Sequence, residues 1–73
     1  MPDWEQNVFS SHVSSIAYDS TTAEMIVTWD NGRRSAYKNV TEAQAQQTAN
    51  APSVGQAMQE FKGNPGRYPH RYV

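Results

Sequence analysis

The chain contains no cysteine, so neither a disulfide framework nor a thiolate metal site can staple it. It has no lysine or arginine before residue 33. No apolar run approaches the roughly 18 residues of a membrane span, so no membrane partner is expected. The opening Met-Pro-Asp-Trp-Glu-Gln places acids where a signal peptide carries bases, which makes cytoplasm the expected compartment. His12 and His70 are far apart and lack ligand-like spacing, and no metal or other cofactor is expected. Seventy-three residues make one domain, 1–73, with an amino-terminal arm over 1–9 and a basic, aromatic tail over 67–73. A chain this short buries only roughly 60% of its unfolded surface. Its core must come from Val, Ile, Met, Phe, Tyr and Trp alone.

What charge there is lies polarised along the chain. Residues 1–30 carry Asp3, Glu5, Asp19, Glu24 and Asp30 and no base, a formal −5. Residues 31–73 carry six bases against Glu42 and Glu60, a formal +4, and the two sum to the net −1. Such segregation says nothing of fold but bears on what a surface attracts. It suggests a binding protein with two unlike faces, provided the fold keeps the halves apart.

Periodicity supplies the architecture. Met25, Val27 and Trp29 alternate with Glu24, Ile26 and Thr28, the pattern of a half-buried strand. Asp30-Asn31-Gly32 follows, and Asn-Gly is the preferred pair of a tight hairpin, so a return strand is expected from about Arg33 to Asn39. Before this hairpin, residues 12–18 read as another strand with Ile16 and Tyr18 on one face. Asp19 to Thr22 supply side-chain turn chemistry. Thr41 with Gln44 three positions on has capping-box spacing, and the Ala- and Gln-rich segment to Asn50 reads as a helix whose apolar face is little more than Ala43, Ala45 and Ala49. After Pro52, Ser53 can cap a second helix, where Val54, Ala57, Met58 and Phe61 form one stripe. Gly63 to Gly66 ends it. The expected fold is α+β, an antiparallel β-meander of three or more strands followed by two short helices packed on one face of the sheet. Neither terminus has enough periodicity to assign.

Catalytic chemistry finds little support. Ser10, Ser11, Ser14 and Ser15 surround His12, but neighbours on a strand point to opposite faces, so adjacency makes no nucleophile–base pair. Gly63-Asn-Pro-Gly66 lacks the Lys-Ser/Thr pair and preceding strand of a phosphate loop. No enzyme is expected. Binding has more to recommend it. Arg34 and Lys38 share one sheet face, and the tail sets Tyr68, His70 and Tyr72 beside Arg67 and Arg71. Rings that stack on bases, with cations for phosphates, suit RNA; the same residues also suit a solvated face with tyrosines packed beneath it. Trp4, Val8 and Phe9 have two readings, core residues or exposed anchors for a protein partner.

Ser10-Ser11, Ile16-Ala-Tyr-Asp19, Met25-Ile-Val-Thr-Trp29, Gly32, Tyr37, Val40, Ala51-Pro-Ser-Val-Gly55 and Tyr68-Pro69 together resemble the KTSC domain family. That family is named for a carboxyl-terminal extension of some lysyl-tRNA synthetases and also occurs as small bacterial and phage proteins. Ala17 departs from its usual glycine and Thr41 from its usual proline. The resemblance implies a β-meander followed by helices, and no activity. Length, the Met-Pro-Asp-Trp start and this domain together also resemble small phage-encoded regulators of host transcription. That further resemblance implies a partner, bacterial RNA polymerase, at the β′ amino-terminal segment and the neighbouring β flap, with nascent RNA close by. It implies inhibition of initiation by disfavouring the sigma-containing holoenzyme, and antitermination near the RNA exit channel, in the cytoplasm of an infected host. On this expectation Trp4, Val8 and Phe9 are the apolar anchors. Arg33, Arg34, Lys38, Arg67 and Arg71 meet acidic polymerase surface or RNA, and Tyr37 belongs to core or interface.

Overall fold

The computed structural model describes residues 3–8, 10 and 12–73. Five strands form one antiparallel sheet in sequence order: β1 (Trp4–Asn7), β2 (Val13–Asp19), β3 (Glu24–Trp29), β4 (Arg34–Tyr37) and β5 (His70–Tyr72). Helices α1 (Glu42–Ala49) and α2 (Val54–Lys62) intervene between β4 and β5. The α+β meander with two following helices is as the periodicity predicts. The two outermost strands come from the termini, where no pattern announced them.

The register explains which residues meet. Trp4 pairs with Tyr18, Tyr18 with Met25, and Met25 with Tyr37, while Gln6, Ile16, Val27 and Ser35 form the next row. Because side chains alternate along a strand, these rows occupy one face. Both helices cover that face: Ala45 and Ala49 of α1 and Val54, Met58 and Phe61 of α2 join Ile16, Tyr18, Met25, Val27 and Tyr37 in the core. Ala43 is exposed, so α1 buries Ala45, Thr48 and Ala49. With so thin an apolar stripe, α1 leans on its cap. Thr41 Oγ1 accepts the Gln44 N–H, and Gln44 Oε1 accepts the Thr41 N–H at 2.9 Å. Such a cap contributes about 1 kcal/mol.

The β3–β4 turn differs from the two-residue hairpin expected. Gly32 N–H donates to the Trp29 carbonyl at 3.0 Å, and Trp29 N–H to the Arg33 carbonyl at 2.8 Å, so three residues, Asp30 to Gly32, form the loop. Gly32 alone takes positive φ there, +89°, the arrangement of a type I turn followed by a left-handed glycine. Asn31 instead spends its side chain on the Arg33 N–H, and β4 starts one residue later than predicted.

The tail becomes a strand because Tyr68 anchors it. Tyr68 is 2% exposed, lies edge-on to Phe61 at 4.7 Å between ring centroids, and its hydroxyl accepts from Gln44 Nε2. From there the Pro69 carbonyl accepts the Lys38 N–H at 2.8 Å, and residues 70–72 pair along β4.

Candidate functional site

Two surfaces flank the sheet, and the alternation of β4 and β5 decides what each receives. On the helix side, past the end of α2, the covered core gives way to an open groove of about 340 Å³. Its walls are rings. Trp29, the last residue of β3, is held by its indole N–H, which donates to the buried Ser35 Oγ at 3.0 Å. Ser35 pairs with Tyr72 and Tyr37 with His70 in the register, which sets the four aromatic residues side by side. Tyr37 and His70 lie 5.2 Å apart at 30°, and His70 meets Tyr72 edge-on at 6.1 Å. Tyr72 is 67% exposed.

Cations sit on this groove and carboxylates do not. Lys62 Nζ lies 5.4 Å from the Trp29 ring centroid and the Arg33 guanidinium 6.0 Å from that of Tyr72. The described lining holds no aspartate or glutamate. Burial, and secondarily the Tyr72 phenol, pushes the Tyr37 hydroxyl above its ordinary pKa, so that hydroxyl stays protonated at neutral pH.

The other face of the sheet is different in kind. Ala17, Ile26 and Ala36 form a low apolar floor, and two ion pairs reach across it: Arg34 to Glu5 at 3.7 Å and Arg71 to Glu24 at 3.3 Å. β1 and β4 are three strand spacings apart, roughly 14 Å in a flat sheet. The small floor residues let Arg34 and Glu5 lie across it and meet. Ala17 and Ala36 are 2% and 1% exposed although no helix covers them, because these long side chains roof them. Thr28 Oγ1 is buried there without a hydrogen-bond partner among the described residues.

The nine sequence-predicted site residues therefore do not form one surface. Arg33 rims the aromatic groove, and Tyr37, 3% exposed, lies in its floor as part of the core. Arg34 and Arg71 are on the opposite face, each engaged with a carboxylate. Lys38 is exposed beyond β4, and the Arg67 guanidinium lies 5.5 Å over Tyr68. Within the expected amino-terminal arm, Trp4–Asn7 form the edge strand β1. Trp4 stacks on Tyr18 at 6.3 Å, donates its indole N–H to Glu42 Oε2 at 3.2 Å, and with Val8 packs partly buried against the core. Phe9 lies outside the described residues. His12 is exposed, and among the described residues no serine hydroxyl bonds its ring.

Sequence reasoning overlooked Trp29 and Lys62. Trp29 continues the inward alternation of Met25 and Val27. Lys62 stands eight residues after Val54, on the same helix stripe. A base at the end of an apolar stripe is a readable signal.

A five-stranded meander backed by two helices, with a cationic aromatic groove at one end, defines a small α+β module. The sequence profile of the KTSC domain matches residues 9–64, and the chain belongs to the KTSC domain family. It is similar to the crystal structure of a KTSC domain protein from Yersinia pestis, with a TM-score of 0.80, 24% identity and 96% of each chain covered. No curated protein matches it in sequence. Among the described residues no helix is long and apolar enough to cross a membrane.

Proposed function

We propose that this chain is a non-enzymatic, phage-encoded regulator that docks on bacterial RNA polymerase. In this reading it disfavours the sigma-containing holoenzyme at promoters and promotes antitermination near the RNA exit channel. The partner surfaces, the β′ amino-terminal segment and the β flap, come from the sequence resemblance. The structural observation that supports docking is the charge arrangement of the sheet. Asp3, Glu5, Asp19 and Glu24 belong to the β1–β3 side. Arg33, Lys38, Lys62 and Arg67, at β4, α2 and the approach to β5, have no carboxylate partner among the described residues. A body 27 × 25 × 22 Å across that leaves these four bases without an ion pair among the described residues can offer them to an acidic cleft of a much larger machine. Displacement of sigma needs only that it bind the sigma-free arrangement more tightly. The experiment is gel filtration with the host core polymerase and with holoenzyme at micromolar concentration. Co-elution with core, and weaker retention by holoenzyme, is expected; elution of the protein alone contradicts docking.

A second reading, an RNA-binding accessory module with no polymerase target, is favoured by the rings and cations around Trp29 and Tyr72. Titration with free RNA at low and high salt tests it, since contacts to phosphates weaken steeply as salt rises.

A further inference from the structure

We infer that the groove between the β4–β5 edge and the last turn of α2 receives one unpaired nucleotide of single-stranded RNA, its base against Tyr72 and Trp29 and its flanking phosphates on Arg33 and Lys62. The inference rests on the RNA-binding reading and goes further by assigning the site.

Size comes first. A space of about 340 Å³ is at the low end of the ~300–1,000 Å³ typical of small-ligand sites, enough for one nucleotide and too little for a run of them. Shape and chemistry agree with that limit. Tyr72 offers an exposed ring, and Trp29 is fixed in place by its bond to Ser35, so one wall is a rigid platform. Any base has a flat face to lay on such rings. Arg33 and Lys62 approach the two rings from above, at 6.0 and 5.4 Å. Both are exposed residues on flexible stems, so either can leave its ring for a phosphate when a base takes its place. The lining has no carboxylate to repel a polyanion.

The neighbouring charges point the same way. Arg34 and Arg71 are held to Glu5 and Glu24 on the opposite face, so the cations left to the groove are those that face it. An acidic peptide would satisfy Arg33 and Lys62 but has no ring to fill the space between Trp29 and Tyr72. A duplex would keep its bases stacked inside and offer none to the platform.

Two indole signals make the test internally controlled, because Trp4 lies on β1 at the far edge of the sheet. The ¹⁵N-labelled full chain is titrated with a 12-residue oligouridylate, an RNA duplex of equal length, and hexaglutamate, with no polymerase present. Expected are saturable shifts of the Trp29 indole N–H and of the His70 and Tyr72 amides with the single strand alone, the Trp4 indole staying in place. Tyr72→Ala, at an exposed position, should weaken binding at least about fivefold, the lower end for one stacked base. Lys62→Ala should lower the slope of log affinity against log salt by about 0.7. Both variants are checked for native amide dispersion, and Lys62→Glu should weaken binding further than Lys62→Ala. If the oligouridylate binds while the Trp29 indole stays fixed, or Tyr72→Ala binds like the parent, the groove assignment is overturned and the RNA-binding reading survives. If duplex or hexaglutamate gives the same shifts, the site is a general anion surface and the inference fails. Absence of any RNA binding removes both.

Discussion

Glu24 and Arg71 are 47 residues apart in sequence and joined across the open face of the sheet, Arg71 Nε donating to Glu24 Oε2 at 3.3 Å and its Nη2 to Oε1 at 3.5 Å. The carboxylate belongs to β3 and the guanidinium to the terminal strand β5, so the bond reaches past β4 and ties the tail to the domain. Burial pushes the Glu24 carboxyl up, but hydrogen bonds from Thr22 and Arg71, with the charges of Arg71 and Lys38, outweigh it and leave the pKa below its ordinary value.

A group whose folded pKa is depressed stabilises the fold above its unfolded pKa, and that contribution is lost as pH falls through the folded value. Arg71→Ala removes two of the lowering influences and leaves burial less opposed. The variant should lose about 1–2 kcal/mol near neutral pH, a modest amount for a pair with one buried partner because Arg71 itself is 59% exposed. Its acid unfolding should begin at higher pH, and the difference from the parent should shrink once Glu24 is protonated in both. Urea melts across a pH series read this directly; a pH-independent difference would show that Glu24 is not the group concerned.

Tyr18 hydroxyl donates to the Val40 carbonyl at 2.8 Å in the core, and burial, more than the nearby Glu42, Asp3 and Asp19, raises its pKa. Tyr18→Phe keeps the ring stacked on Trp4 but orphans a buried carbonyl. A loss of about 1–3 kcal/mol is expected, measured by thermal or urea unfolding.

Ala23 has φ of +56° at the end of the β2–β3 turn, where a side chain is disfavoured by roughly 1–2 kcal/mol. Its carbonyl accepts the Val40 N–H at 3.1 Å, which joins this turn to the segment before α1. Ala23→Gly relieves the strain but frees the unfolded chain, at roughly 0.4–1 kcal/mol. The net outcome should be a gain of about 0.5 kcal/mol, seen as a higher urea midpoint at unchanged slope.

Trp4→Ala should lower stability by about 1–3 kcal/mol, less than a fully buried tryptophan because the ring is only partly covered. Trp4→Phe, which keeps the stack on Tyr18, should recover most of that. If instead Trp4→Ala leaves unfolding unchanged and abolishes polymerase binding, Trp4 is an anchor and its packing is incidental.

The parts of the fold that were legible are those where one local rule suffices. Met25, Val27 and Trp29 alternate, Thr41 and Gln44 form their box, and Val54, Met58 and Phe61 keep helical spacing. β1 and β5 were not legible, because four and three residues cannot display a period, and both are held by distant partners: Trp4 by Tyr18 and Glu42, the tail by Tyr68 against Phe61 and Gln44. The candidate site suffered for the same reason. Alternation sets Arg34 and Lys38 on one face, but nothing local shows that Arg34 reaches Glu5 across the sheet while Arg33 rims the groove on the other side. Lys62 meets Trp29 only once α2 has packed on the sheet, and Tyr72 meets Arg33 only once β5 has docked.

The proposed mode of action is docking on bacterial RNA polymerase. Labelled protein titrated with a peptide from the amino terminus of the host β′ subunit tests it most directly, residue by residue. Saturable chemical-shift changes confined to one surface, on the basic side that includes Arg33, Lys38 and Arg67, are the predicted result. A spectrum unchanged up to millimolar peptide, together with no retention by core polymerase, would contradict it.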